Sequence, residues 1–360
     1  MSRFFWVLCV VSIIFCLGLT GIVFSAEIPI QKVFDKSDPG GNYKHPASIT
    51  ELDNGDLYLS FYGGGGEYDA DTADWAARLK KGETQWSTPK IIADTPFISD
   101  GNPVVWQAPD GLVWLFYVVR YGETWSDSKI FAKVSFDGAE TWSDSMLLAG
   151  ERGMMVRSQP IVLNNGDYLL PIYHETGEDR ELVAADTSCL FLRCAKGTKT
   201  WEETGRIYAK IGCLQPSVVQ LSDDHLLTYM RRGGGYTEDW KAYTFKSESF
   251  DGGQTWSEAI DTEFPNPNAA IDLIKLQSGR LLLVYNDSFI DRNPLSLAIS
   301  EDNGKTWPYC RVLIDKNRDY AYPYAIQTKD GKIHLIFTSH SRSQINHAVF
   351  TEDDVMNSSK

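Results

Sequence analysis

Positive charge is in short supply in this 360-residue chain: 34 lysines and arginines face 48 aspartates and glutamates, for a formal charge of −14 and a pI near 4.9. That shortage argues against nucleic-acid binding, because no basic field is present to displace phosphate counterions. It also means that an anionic ligand is repelled at long range, so any site for one must bring its own arginines. Cysteine is scarce too. Of six, Cys9 and Cys16 fall in the first 26 residues, leaving Cys189, Cys194, Cys213 and Cys310. Four cysteines permit disulfides in three connectivities, yet they are too few for a disulfide framework and their spacings do not resemble a metal site. They read best as buried or singly bridged. Helical periodicity is missing after residue 30, and no nucleotide, flavin or haem motif occurs, so neither a cofactor nor a bound metal is expected. With 43% apolar residues, disorder is excluded as well.

The apolar residues begin with a run from Phe4 to Phe24, preceded by Met1-Ser2-Arg3 and followed by Ser25-Ala26. A basic start, an apolar stretch and small residues at its end describe a secretory signal, and Val23 and Ser25 suit a cleavage site. The length of the run also fits an uncleaved anchor. Either way residues 27–360 are expected outside the cytoplasm, secreted, periplasmic or extracellular.

What the chain has in abundance is repetition. Ser249, Asp251, Gly253, Thr255 and Trp256 recur as Ser300, Asp302, Gly304, Thr306 and Trp307. Weaker copies end at Trp86, Trp142 and Trp201, and the intervals between the five tryptophans are 56, 59, 55 and 51 residues. A second series, the turns at Gly55, Gly111, Gly166, Asp224, Gly279 and Gly331 before apolar runs, has intervals of 56, 55, 58, 55 and 52. Short strands joined by Asn-Gly, Asp-Gly or Ser-Gly turns at this period predict blades of about four strands, arranged radially as an all-β, six-bladed β-propeller over 27–360. Five boxes for six hairpins predict that residues 28–36 supply the outer strand of the last blade. The box itself reads as scaffold, its Asp capping a turn and its Trp packing between hairpins.

Chemistry is expected where the first strands converge. Each opens on a residue before proline: His45-Pro46, Asn102-Pro103, Gln159-Pro160, Gln215-Pro216 and Tyr322-Pro323, with Pro265-Asn266-Pro267-Asn268 breaking the pattern in blade five. The second strands end at the same mouth, with GGGGEYDAD from Gly63, Arg120, His174-Glu175, Arg231-Arg232, Asn286 with Arg292, and His340 with Arg342.

The boxes, the six-fold period and the secretory start resemble the sialidase (neuraminidase) superfamily over essentially the whole mature chain, and HPASITELDNG, PNPNAAIDLIKLQSGRLLLVYN and YAYPYAIQTKDG resemble stretches of its predicted-neuraminidase members. The resemblance implies three arginines for a substrate carboxylate, a Tyr/Glu nucleophile pair and a carboxylic acid/base. Tyrosine suits that task because a carboxylate nucleophile would be repelled by the carboxylate on the anomeric carbon. By motif, Tyr322 falls on the nucleophile, Arg231 on the second arginine and Arg292 on the third, while Glu67, Asp69 and Asp71 compete for the acid/base. Two positions depart from the pattern. Lys44-His45-Pro46 stands where an Arg-Ile-Pro is expected, and Gln215 where the glutamate partner of the tyrosine is expected. Arg157 is then a candidate replacement for the missing carboxylate contact, Glu175 a candidate base, and Asn102, Gln215 and Asn268 polar substrate contacts.

These readings predict an exo-glycosidase of sialidase type acting on a terminal acidic sugar of a glycan. A lyase acting across a uronate, with His45 or Tyr322 as base, and a non-catalytic carbohydrate-binding propeller remain open beside it, since propellers host unrelated functions.

Overall fold

A computed structural model describes residues 27–180, 182–235, 241–316 and 318–357, so the signal or anchor expected at 1–26 lies outside the described residues. Six antiparallel sheets follow one another along the chain and close into a ring. Blade one comprises Tyr43–Glu51, Leu57–Gly64, Ala73–Leu79 and Lys90–Ala93, and blade two Ser99–Gln107, Val113–Arg120, Ser128–Ser135 and Met146–Ala149. Blade three splits its inner strand into Met154–Val156 and Ile161–Val162, followed by Tyr168–His174, Ser188–Cys194 and Trp201–Ile207. Blade four comprises Cys213–Gln220, Leu226–Arg232, Tyr243–Ser249 and Ile260–Pro265, and blade five Asp272–Lys275, Leu281–Asn286, Leu295–Ser300 and Tyr309–Ile314. Blade six has Ala321–Gln327, Ile333–Ser339 and Gln344–Phe350, and its fourth strand is the N-terminal Ile30–Phe34, paired with Ile30 opposite Ala348. The ring is therefore clasped by the N-terminal segment, as the missing sixth box predicts.

The box turns show why the motif recurs. Asp251 accepts from Ser249 Oγ (2.8 Å), from the backbone N–H of Gln254 (3.0 Å) and Thr255 (2.9 Å), and from Thr255 Oγ1 (2.5 Å), and Asp302 repeats this set with its own neighbours. One carboxylate thus satisfies a whole turn, and the Thr hydroxyl and backbone donors hold Asp137, Asp251 and Asp302 at a pKa of about 2. Each box tryptophan then packs on the blade before it: Trp256 stacks on Phe191 at 4.5 Å, Trp201 meets Trp114 edge-on at 5.7 Å, and Trp307 lies 6.0 Å from Tyr229. At the closing seam Trp86 meets His347 at 5.9 Å, and His347 in turn bonds His334 at 2.9 Å. The boxes are the wedges between blades.

All four described cysteines are thiols: Cys189, Cys194 and Cys213 are buried and Cys310 is exposed. Among the described residues no helix is long and apolar enough to cross a membrane.

Candidate functional site

At the inner strands the backbone departs from regular pairing. The register slips between Lys44 and Ala47, Gly101 and Val104, Leu214 and Ser217, and Ala321 and Tyr324, one bulge at the mouth end of each of four blades. Three of these bulges carry a non-glycine residue in the left-handed region, Asn102 (φ 48°), Gln215 (φ 53°) and Tyr322 (φ 53°), and Asn268 (φ 54°) occupies the corresponding place ahead of blade five. Such backbone is costly for side-chain-bearing residues and gathers at functional sites. Here the proline that follows three of them removes a backbone donor at the bulge.

The mouth they form is a small cavity of about 40 Å³ lined by Tyr62, Glu67, Asn102, Trp125, Met155, Tyr173, Glu175, Arg180, Val183, Leu214, Gln215, Arg231, Arg292, Tyr322 and Arg342. Tyr322 sits on its floor. Its hydroxyl lies 3.0 Å from Arg231 Nη1 and 3.4 Å from Gln215 Nε2, both donating to it. The Arg292 guanidinium stands 5.5 Å from the ring centre. Burial pushes the phenol up, but Arg231, Arg292 and Arg342 together outweigh it and hold Tyr322 below the ordinary tyrosine range. Tyr43, Tyr62 and Tyr173 move the opposite way, raised chiefly by burial.

The arginines are oriented from below. Arg231 Nε donates to Asn268 Oδ1 (2.7 Å) and its Nη1 to Gln215 Oε1 (3.2 Å), while Arg292 Nη2 donates to the Asn268 carbonyl (3.3 Å). Asn268, expected as a substrate contact, is thus wholly buried and positions two guanidinium groups instead. Asn102 and Gln215 do line the cavity, and each points an amide at the Tyr173 hydroxyl, 3.5 Å away.

The carboxyl groups divide sharply. Glu67 faces the cavity and accepts from Tyr43 Oη (2.7 Å), Trp125 Nε1 (3.3 Å) and the Arg342 guanidinium. Asp69 and Asp71, its competitors in sequence, are exposed and outside the cavity lining, with Asp71 Oδ1 accepting from Gly65 N–H (3.1 Å) in its own loop. Glu175 lines the opposite wall. Burial pushes it up to about 7, with Arg231 opposing and Glu67 adding to the rise. His45 lies beneath the floor, its ring edge-on to Tyr322 at 4.2 Å and its Nδ1 2.8 Å from Thr338 Oγ1. Burial, then the positive field of Arg342, Arg292, Arg157 and Arg231, keeps that imidazole far below its usual pKa. Arg157 is under the floor as well and does not line the cavity.

Arg342 is the residue that the motifs leave unassigned. It arrives from blade six, not blade one, on three consecutive left-handed residues, His340 (φ 56°), Ser341 (φ 54°) and Arg342 (φ 61°). At the blade-one position, Lys44 turns away and bonds the carbonyls of Asp38 and Gly41. The signal was the place of Arg342 in the series of strand ends at the mouth. Tyr62, Trp125, Tyr173 and Arg180 complete the walls and carry no motif of their own. Among the described residues no group of three or more His, Cys, Asp or Glu side chains is placed to hold a metal ion.

The cavity therefore offers three convergent guanidinium groups, a tyrosine acidified by them, and a carboxyl group that stays protonated up to near-neutral pH. Such a constellation has the chemistry to hold a carboxylate with a nucleophile or base beside it. The family model of the BNR repeat-like domain matches residues 55–335, and the chain belongs to that family. No curated protein matches the chain. Among solved structures it is similar to a Hadza microbial sialidase (15% identity, covering 91% of this chain and 69% of that one, TM-score 0.76). It is similar to a protein of unknown function from Dyadobacter fermentans (16%, 90% and 98%, TM-score 0.74). It is also similar to the intramolecular trans-sialidase of Ruminococcus gnavus (15%, 90% and 98%, TM-score 0.73). At these identities the likeness concerns the six-bladed propeller.

Proposed function

We propose that this member of the BNR repeat-like domain family is an exported glycoside hydrolase of sialidase type that removes a terminal, carboxylate-bearing sugar from a glycan. The observation that carries this reading is the Tyr322 hydroxyl held 3.0 Å from Arg231 inside a ring of three arginines, in a chain whose overall charge is −14. Local arginines in an acidic protein answer the requirement that an anionic substrate be met by its own charges. Arg231, Arg292 and Arg342 take the substrate carboxylate. Tyr322, ionised under the field of these arginines, then attacks the anomeric carbon as the phenolate, forming a carbon–oxygen bond as the glycosidic bond breaks, and the leaving oxygen takes its proton from Glu175. Water next attacks the same carbon, gives a proton to Glu175 and releases Tyr322. Glu67, already accepting from three donors, holds Arg342 and the Trp125 wall in place.

One observation favours a second reading. The group hydrogen-bonded to Tyr322 besides arginine is the amide of Gln215, which cannot take a proton from the phenol. An elimination across a uronate needs only an anionic base and a neutralised carboxylate, and the same floor supplies both. Mass spectrometry of the products from sialylated, uronate-containing and rhamnose-containing glycans separates the two. Free acidic sugar released by the wild type and lost in Tyr322→Phe is the expected result. An unsaturated product, short of the hydrolysis product by one water, would replace hydrolysis by elimination, and no product at all would leave a binding module.

A further inference from the structure

Beneath the cavity floor lies a guanidinium that no substrate can reach. Arg157 is 2% exposed, and its head group sits between two tyrosine rings, 5.5 Å from the centre of Tyr322 and 5.3 Å from that of Tyr324. Its Nη2 donates to the carbonyl of Pro323, the residue directly after the left-handed Tyr322, while Nε and Nη1 find no hydrogen-bond partner. Burying an arginine with two of its donor groups unmatched is expensive. Its countercharge is Asp272, itself buried, with Oδ1 accepting from Ser217 Oγ (2.9 Å) and Oδ2 from Ala325 N–H (2.7 Å). Structural ion pairs are normally made by direct contact. This arginine instead spends its geometry on a peptide carbonyl and two aromatic faces.

We infer that Arg157 is a positioning residue for Tyr322, pinning the strained peptide that aims the phenol and stabilising its ionised form through the ring face from the side opposite the substrate. The inference rests on the reading of Tyr322 as the reacting group. A cation over an aromatic face is attracted by the ring's negative potential, and the attraction grows when a phenolate spreads its charge into that ring. The other groups facing Tyr322 are Arg231, Arg292 and Arg342 above, Glu67 across the cavity, Tyr62 and Tyr173 in the walls, Gln215 beside the hydroxyl and His45 at the ring edge. Only Arg157 among the cations lies outside the cavity lining, so it is the one whose removal alters the phenol without altering a contact to substrate.

The experiment is an ultraviolet titration of phenolate absorbance, with the same variant carrying Tyr322→Phe subtracted so that one of the 17 tyrosines is read. Arg157→Met is expected to make Tyr322 an about tenfold weaker acid and to lower kcat by a similar factor with KM unchanged, while Arg157→Lys, which keeps the charge, recovers most of the acidity. The single variant leaves Asp272 uncompensated, so Arg157→Met is also made with Asp272→Asn, which removes both buried charges together. A folded Arg157→Met, or the folded double variant, in which Tyr322 titrates as in the wild type overturns the proposal. The titration needs no substrate, so an enzyme inert on every glycan, or active without Tyr322, counts against the proposed activity and leaves the role of Arg157 to be decided by the phenol alone.

Discussion

The rim and the mouth of this propeller are built on opposite rules. At the rim, residues repeat: the same Asp satisfies the same turn three times, and a tryptophan wedges each of five seams. At the mouth, the same place carries different side chains: His45 from blade one, the amides of Asn102, Gln159 and Gln215 from blades two, three and four, Asn268 ahead of blade five and the phenol of Tyr322 from blade six. Repetition marks what every blade needs in order to stand, and its failure marks the candidate site. A rim aspartate held at about 2 and a mouth glutamate pushed up to about 7 are the same functional group under these two regimes, one surrounded by donors and one deprived of water.

Substitutions in the two regions should therefore separate activity from stability. Tyr322→Phe is the most severe at the mouth, with kcat expected to fall by at least about a thousandfold in steady-state assays while the melting temperature stays near that of the wild type. Trp256→Ala at the rim does the reverse, costing about 3 kcal/mol in denaturant unfolding as Phe191 loses its stacked partner, with kcat of the folded enzyme unchanged. Arg231→Lys keeps the charge but loses the planar fork that spans Asn268, Gln215 and Tyr322, and kcat/KM is expected to drop about a hundredfold.

Two smaller effects sharpen the contrast through pH. If Glu175 donates the proton, its acid form prevails below about 7, so kcat/KM should fall about tenfold per pH unit above that value, and Glu175→Gln should flatten this limb. At the rim the sign is opposite. The folded-state pKa of Asp251 is depressed to about 2, so its contribution to stability is complete above the ordinary carboxylate range and disappears as pH falls through about 2. Asp251→Ala should accordingly lower the melting temperature by about 2–4 °C at pH 7, with the difference shrinking as pH falls through about 2.

The rim was legible in the sequence because its physics is local: Ser249, Asp251 and Thr255 bond one another within seven residues, and the spacing survives in the letters. Tyr322, Arg231 and Arg292 were legible through motif and position, and the structure brings all three into one cavity. The remainder depends on contacts between distant blades. Glu67 could not be told from Asp69 and Asp71 until Tyr43, Trp125 and Arg342 met it from elsewhere in the chain. Arg342 follows a left-handed run that no strand period announces, and Arg157 and Asn268 carry side chains that look fit for a ligand but are consumed beneath the floor.

Whether an arginine-acidified Tyr322 is the reacting group is decided by incubating the protein with a fluorinated acidic-sugar fluoride, whose good leaving group allows attack while the second fluorine slows release, and measuring intact and peptide mass. One sugar is expected on the peptide that contains Tyr322, and none in Tyr322→Phe. Turnover of the natural linkage without that adduct, or with undiminished rate in Tyr322→Phe, would contradict that assignment.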